Sequence, residues 1–414
     1  MTMTHRFAIL LLAADLAALA ACTDRPTASS ELSAPPAATA VASLTAVDWA
    51  SGNVRYLGSM PQPGGYDLDA FAGNRTLMPR PSSYDTISAT RAASVRTLMT
   101  AVLDASSASL ADPNTGAWCS VRTKARTAGY WVRRFYDTES GRYLVYGQDT
   151  LTGSQQAYFF VNPAYKRNVA VEVPHEPVDP TGVEAARVFR DLAARALVIN
   201  GAHRCASPTR SPCDGKTHTC GGFYRLSDPA HHRANAFHAI HLALDDKGMR
   251  VAQLHRQSSV NRVVADDGTT NADDASSVAV TFLGMLRSVL DPLGANVLDD
   301  SVVACQTPNA TPVFNLSTGQ NGCYATNVQA RYTHQQADPA VSTINTCTLG
   351  SAYGADRRVL LIEQTNTVID GDCSDGYCWR RVADALKRTW PCSDGTTTCG
   401  IGAAQPKYAD KACP

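Results

Sequence analysis

A mixed α/β fold, with a largely parallel central sheet flanked by helices, is predicted from three observations. Four short apolar runs each stop at a polar, ligand-type residue: 169–174 into His175, 196–202 into His203 and Arg204, 250–254 into His255, and 359–362 into Glu363. Buried parallel strands read as near-continuous apolar runs of this kind. The first two runs flank a helical stretch, which makes a βαβ unit and brings both strand ends to one edge. The chain has 414 residues, 44% of them hydrophobic and 18% charged, which provides a sizeable core and excludes wholesale disorder.

The elements follow in chain order. Arg6 precedes an apolar run from Phe7 to Ala14 that continues, past Asp15, to Ala21. It ends in Leu19-Ala20-Ala21-Cys22, which resembles a bacterial lipobox. That resemblance implies cleavage before Cys22, acylation of its thiol, and an exported chain tethered to a membrane in the periplasm or at the cell surface. Residues 1–22 are therefore set aside as a lipoprotein signal peptide. Residues 23–46 are rich in Ala, Pro, Ser and Thr and read as a flexible linker. Residues 47–139 form an N-terminal extension, turn-rich at first and then helical over 86–110. Strands at 130–135, 142–146 and 157–161 look antiparallel, joined by Gly and Ser turns. The α/β domain that carries the site is placed at 140–414.

Within that domain, Thr181 and Glu184 have the spacing of a capping box. Ala185, Phe189, Leu192, Ala193 and Ala196 then recur at helical spacing. A second helix is predicted to start at Ser227-Asp228-Pro229 and to carry His231, His232, His238 and His241. Of these, His241 lies on the apolar face and reads as a core histidine. Further helices are expected over 277–290 and within 376–390. Residues 300–350, rich in Thr, Asn, Gln and Cys, read as a disulfide-pinned excursion. Asp266-Asp267-Gly268 does not fit a calcium loop and reads as a solvated turn.

The sequence has 13 cysteines. Setting Cys22 aside leaves an even set, as expected of disulfides in an oxidising compartment. Two loops with an Asp-Gly turn predict local bridges Cys213–Cys220 and Cys392–Cys399, with Cys373–Cys378 a third. No pair has the tight spacing of a zinc knuckle. Lys+Arg and Asp+Glu are both 37, so charge gives no reason to expect nucleic acid as partner. No stretch after the signal peptide is apolar enough to span a bilayer. A Gly-x-Ser-x-Gly elbow, a phosphate loop and a dinucleotide glycine pattern are all missing.

His175 and Asp179 place an imidazole and a carboxylate on one strand-end loop, and His255 adds an imidazole from another strand. Three protein ligands with a position left for water is the usual plan of a catalytic zinc site. Glu363 is placed to act as general base and later acid. Arg204 could fork a substrate carboxylate or steady an oxyanion, and His203 could assist it or replace His255. Each residue taken singly also has a structural reading, as a turn, cap or ion-pair partner.

The order of these residues resembles the zinc carboxypeptidase-like fold, and the stretch Val173-Pro-His-Glu-Pro-Val-Asp179 is closer to its poly-γ-glutamate hydrolase and N-formylglutamate amidohydrolase-like branch. The resemblance covers roughly residues 140–390. It implies Zn2+ held by His175, Asp179 and His255, with Glu363 as catalytic carboxylate and a peptide or amide substrate. Two departures stand out. The His-x-x-Glu spacing would put the acid at Val178, leaving Asp179 or Glu176 to serve, and no arginine closely follows Glu363. The alternative is a noncatalytic ligand-binding lipoprotein whose hydrolase site is degenerate.

Overall fold

The computed structural model describes residues 68–72, 84–105, 110, 116–150, 156–176, 178–215, 217, 219–257, 263–269, 277–290, 302–304, 326–336, 347, 358–370 and 378–392. The signal peptide with Cys22 and the linker lie outside them. Among the described residues nine strands form one mixed sheet in the order β1-β2-β3-β5-β4-β6-β9-β7-β8. They are β1 (Tyr130–Asp137), β2 (Arg142–Asp149), β3 (Tyr158–Val161), β4 (Arg167–Val173), β5 (Ala194–Ile199), β6 (Arg250–Arg256), β7 (Val263–Asp266), β8 (Val302–Ala304) and β9 (Val359–Gln364). The central four, β5-β4-β6-β9, run parallel. An antiparallel meander, β1 to β3, joins one side through β5. On the other side, β7 runs antiparallel to β9. All four apolar runs of the sequence are thus the parallel centre of the sheet.

Nine helices among the described residues are α1 (Leu68–Ala72), α2 (Ala89–Asp104), α3 (Gly116–Ala128), α4 (Gly182–Asp191), α5 (Ala236–Asp246), α6 (Val278–Leu290), α7 (Val328–Gln336), α8 (Asn366–Ile369) and α9 (Trp379–Thr389). Side chains alternate across a strand, so each strand feeds two cores. Val169, Val171 and Val173 of β4 pack with Phe189, Phe282 and Leu386, which come from α4, α6 and α9. Ala170 of β4 and Val198 of β5 pack with Leu98, Trp118 and Phe237, which come from α2, α3 and α5. Glu172 points to this second side and is fully buried there. It meets His241 Nδ1 of α5 at 3.0 Å and Gln253 Nε2 of β6 at 2.7 Å, which bears out His241 as a core histidine.

Several local expectations are corrected. Thr181 does not build a capping box, since its hydroxyl donates toward the Asp179 and Leu254 carbonyls at 3.4 and 3.3 Å. Glu176 caps α4 instead, accepting the Gly182 N–H, where a carboxylate also complements the helix dipole. A Cβ at Gly182 would come within 2.7 Å of Ala72 O and of Glu176 Oε2, so the cap requires glycine. The second helix starts at Ala236, capped by Asn235 Oδ1 accepting from His238 N at 2.7 Å, and His231 and His232 precede it. Tertiary bonds take the predicted cap, because Ser227 Oγ accepts from Ser207 N at 2.9 Å and donates to Arg204 O at 2.8 Å. The turn at Asp266 and Asp267 is buried rather than solvated. Asp267 accepts from Thr269 N at 2.9 Å and from Ser277 Oγ at 2.6 Å. The 300–350 stretch contributes regular structure, β8 and α7.

Among the described residues two bridges join Cys205 to Cys220 and Cys213 to Cys347, so the local Cys213–Cys220 pairing is wrong. Cys213 packs with Val328 and Cys347, and the Arg331–Asp214 ion pair at 2.5 Å holds the same junction. Cys378 and Cys392 are also disulfide-bonded, whereas Cys373 and Cys399 lie outside the described residues. Such bridging belongs to an oxidising environment. Among the described residues no helix is long and apolar enough to cross a membrane.

Candidate metal centre

His175 begins the tight turn after β4, and both Val178 N and Asp179 N donate to its carbonyl at 2.8 Å. That turn folds Asp179 back on the imidazole, with 3.2 Å between Asp179 Oδ2 and His175 Nδ1. His255 and Glu363 are register partners on β6 and β9, so period two puts their side chains on one face. Oε1 of Glu363 lies 3.8 Å from His255 Nδ1, too far for a hydrogen bond. The His175 and His255 rings meet edge to face at 5.0 Å. His175, Asp179 and His255 each offer one ligand atom, all within 4.8 Å of one another, and all three residues are buried. They could hold a metal.

One essential partner was not found in the sequence. Asp228, fully buried, accepts at Oδ1 from His175 Nε2 at 3.0 Å and pairs through Oδ2 with Arg204 Nη2 at 3.3 Å. In the sequence Asp228 looks like a helix cap, and nothing near it announces a partner 53 residues away. A carboxylate on one ring nitrogen fixes the tautomer and leaves the other for a metal. His231 was also missed as a neighbour of the site. Its ring lies 6.4 Å from that of His175 and stacks on Tyr224 at 3.5 Å.

Burial would raise Asp228, but the His175 and Arg204 charges outweigh it and hold the carboxyl far below the usual range. Burial likewise opposes Asp179, and the hydrogen bond and charge of His175 reverse it, so Asp179 also titrates low. For His175, burial and Arg204 act downward, yet Asp228 and Asp179 together raise it. Burial, reinforced by the nearby His175, pushes His255 down to about 3. His231 falls to about 3 through burial, which its Asp228 neighbour only partly offsets.

The remaining predicted residues are placed as follows. Arg204 points into the cluster, with Nη1 3.4 Å from His175 Nδ1. His203 is outside the three-residue group; its Nδ1 accepts from Cys205 N at 3.0 Å, and burial and Arg204 lower its pKa. The carboxylate of Glu176 is engaged in capping α4.

Glu184, expected to reach back in the capping box, is instead buried behind the site. It accepts from Gln364 Nε2 at 3.1 Å, and burial pushes its carboxyl up to about 8. A folded pKa above the unfolded value gives stability that is fully present below the unfolded carboxylate range, about 4.3, and lost as pH rises through about 8. Glu184→Gln is therefore expected to melt higher than the parent protein at pH 8–9, with the advantage vanishing by about pH 4. Thermal melts across pH check this, and a pH-independent difference would contradict it.

A separate cleft of about 970 Å³ opens near the amino end of β5, lined by Arg142, Arg190, Trp379 and Arg380 among others. It contains none of the candidate site residues. Arg190 there pairs with Asp69, Asp137 and Glu139, so internal ion pairs already occupy its charge. Ligand atoms converge instead at the His175 cluster.

No family model matches the chain, and no curated protein matches its sequence. Among solved structures, one similar chain comes from Shewanella denitrificans and is provisionally named a carboxypeptidase A. The two are 9% identical, over 66% of this chain and 67% of that one, with a TM-score of 0.28. So slight a likeness carries no functional weight. The fold and site define the class by themselves: a disulfide-bonded mixed α/β protein with a buried two-histidine, one-carboxylate cluster at the carboxyl ends of its parallel strands.

Proposed function

We propose that this chain is an exported, lipid-tethered, zinc-dependent hydrolase that cleaves an amide or peptide bond. The reading rests on one observation: the ligand atoms of His175, Asp179 and His255 converge within 4.8 Å, where Asp228 already orients His175. The donor set fits the ion. His255 Nε2 is buried with no hydrogen-bond partner, and an unsatisfied buried polar group costs about 1–3 kcal/mol. A cation at that nitrogen would remove the cost. Two imidazoles and a carboxylate are also a usual set for catalytic zinc.

Bound there, zinc would supply Lewis acidity and lower the pKa of coordinated water to about 7. The chain's own residues would do the rest. Glu363, beside His255 on the same sheet face, would take the water proton and return it to the leaving amine. Arg204 would donate to a substrate carboxylate or to the developing oxyanion, with the half-buried His203 next to it in the chain. Cys22 would carry the lipid, and the 23–46 segment would span from membrane to enzyme.

Metal analysis of the purified protein tests the reading. About one zinc per chain is expected, and His175→Ala or His255→Ala should lower the content at least tenfold with circular dichroism unchanged. A natively folded protein that takes up no zinc would instead favour the noncatalytic, ligand-binding alternative.

A further inference from the structure

We propose that Arg204 is a resident cation of this site with two seats, and that it competes with the metal for the Nδ1 side of His175. The proposal rests on the zinc reading above and concerns how that site is loaded. The Arg204 side chain is 12% exposed, and its Nη1 lies 3.4 Å from His175 Nδ1. Arginine can only donate, so this contact needs the neutral ring whose proton Asp228 holds on Nε2, with Asp179 Oδ2 3.2 Å from the same Nδ1. The guanidinium thus sits against the ligand atom a metal would use. Two like charges cannot share that atom, and at separations of about 4 Å their repulsion in a protein interior is large.

The first seat is imperfect. Arg204 Nε is buried with no hydrogen-bond partner, and so is Asp228 Oδ2, which has only the 3.3 Å ion pair to Arg204 Nη2. The second seat follows from those two orphans. Rotating the guanidinium toward Asp228 would let Nε and Nη2 fork the carboxylate, the arrangement arginine favours. That rotation satisfies both buried atoms and withdraws Nη1 from His175. Nη2 also lies 3.5 Å from Thr217 Oγ1, a weak contact that the rotation would give up. Metal entry and the Arg204–Asp228 fork would then be one event, and the protein would hold a cation beside His175 in either state.

The test is zinc affinity, measured by chelator competition on the full mature chain. Arg204→Gln, which keeps planar donors but no charge, is expected to bind zinc about tenfold or more tightly than the parent. Arg204→Met should do the same, and Arg204→Lys should stay nearer the parent. In the parent protein, zinc should shift the Arg204 Nε–H resonance in a nitrogen-edited spectrum, identified by its loss in R204Q, as Nε gains Asp228. If the parent binds zinc and R204Q binds it no tighter, the competition is refuted while the zinc reading survives. An Nε–H resonance unmoved by bound zinc refutes the two seats, and this measurement needs no variant to fold well. If no form binds zinc, both proposals fall.

Discussion

Glu363→Gln is expected to retain zinc and lose about 10²–10⁴-fold in turnover, the contribution typical of a positioned acid–base group. The substitution preserves shape and backbone, so β9 should keep its pairing with β6. It removes only the ability to accept a proton. Glu363 Oε1 is 3.8 Å from His255 Nδ1, a loose contact, so metal content should change little. The experiment compares metal stoichiometry and turnover on a panel of N-acyl amino acids, γ-glutamyl peptides and ordinary peptides. Loss of zinc together with turnover would make Glu363 a ligand or a support for His255 rather than the base. Full turnover without the carboxylate would remove it from the mechanism.

Asp228→Asn should weaken zinc binding by about 10–100-fold, the effect seen when the carboxylate behind a metal-bound histidine is lost. It should also destabilise the fold. Asp228 is completely buried and compensates both His175 and Arg204, and stranding a buried charge costs about 3–5 kcal/mol. The pH dependence separates this from simple loss of packing. Because Asp228 titrates below its ordinary value in the fold, its stabilisation is fully present above about pH 4. It fades as pH falls below the normal carboxylate range toward the depressed folded value. The stability gap between parent and D228N should therefore narrow in strong acid, and narrow again as pH rises above about 6.5, where His175, which Asp228 helps to raise, loses its proton in the fold. His255, held neutral down to about 3, imposes a loss common to both proteins between about pH 6.5 and 3. A gap that persists unchanged in strong acid would show that packing, not charge, is what Asp228 supplies.

Much of the scaffold could be read directly from the chain. The runs ending at His175, His203, His255 and Glu363 proved to belong to the parallel centre of the sheet, because buried strands need uninterrupted apolar residues whatever surrounds them. His175 and Asp179, four residues apart, needed only one tight turn to meet. His255 and Glu363 became neighbours as soon as their strands paired in register.

Short-range patterns carried those results, since strand burial and turn closure are settled within a few residues. The tertiary structure decided what depends on cost rather than pattern. It chose Glu176 over Thr181 as the cap of α4, Cys347 over Cys220 as the partner of Cys213, and Asp228 as the counter-charge to His175 and Arg204. Each choice joins groups that must leave water together, and a buried charge or polar atom selects its partner by position in the finished fold, not by distance along the chain.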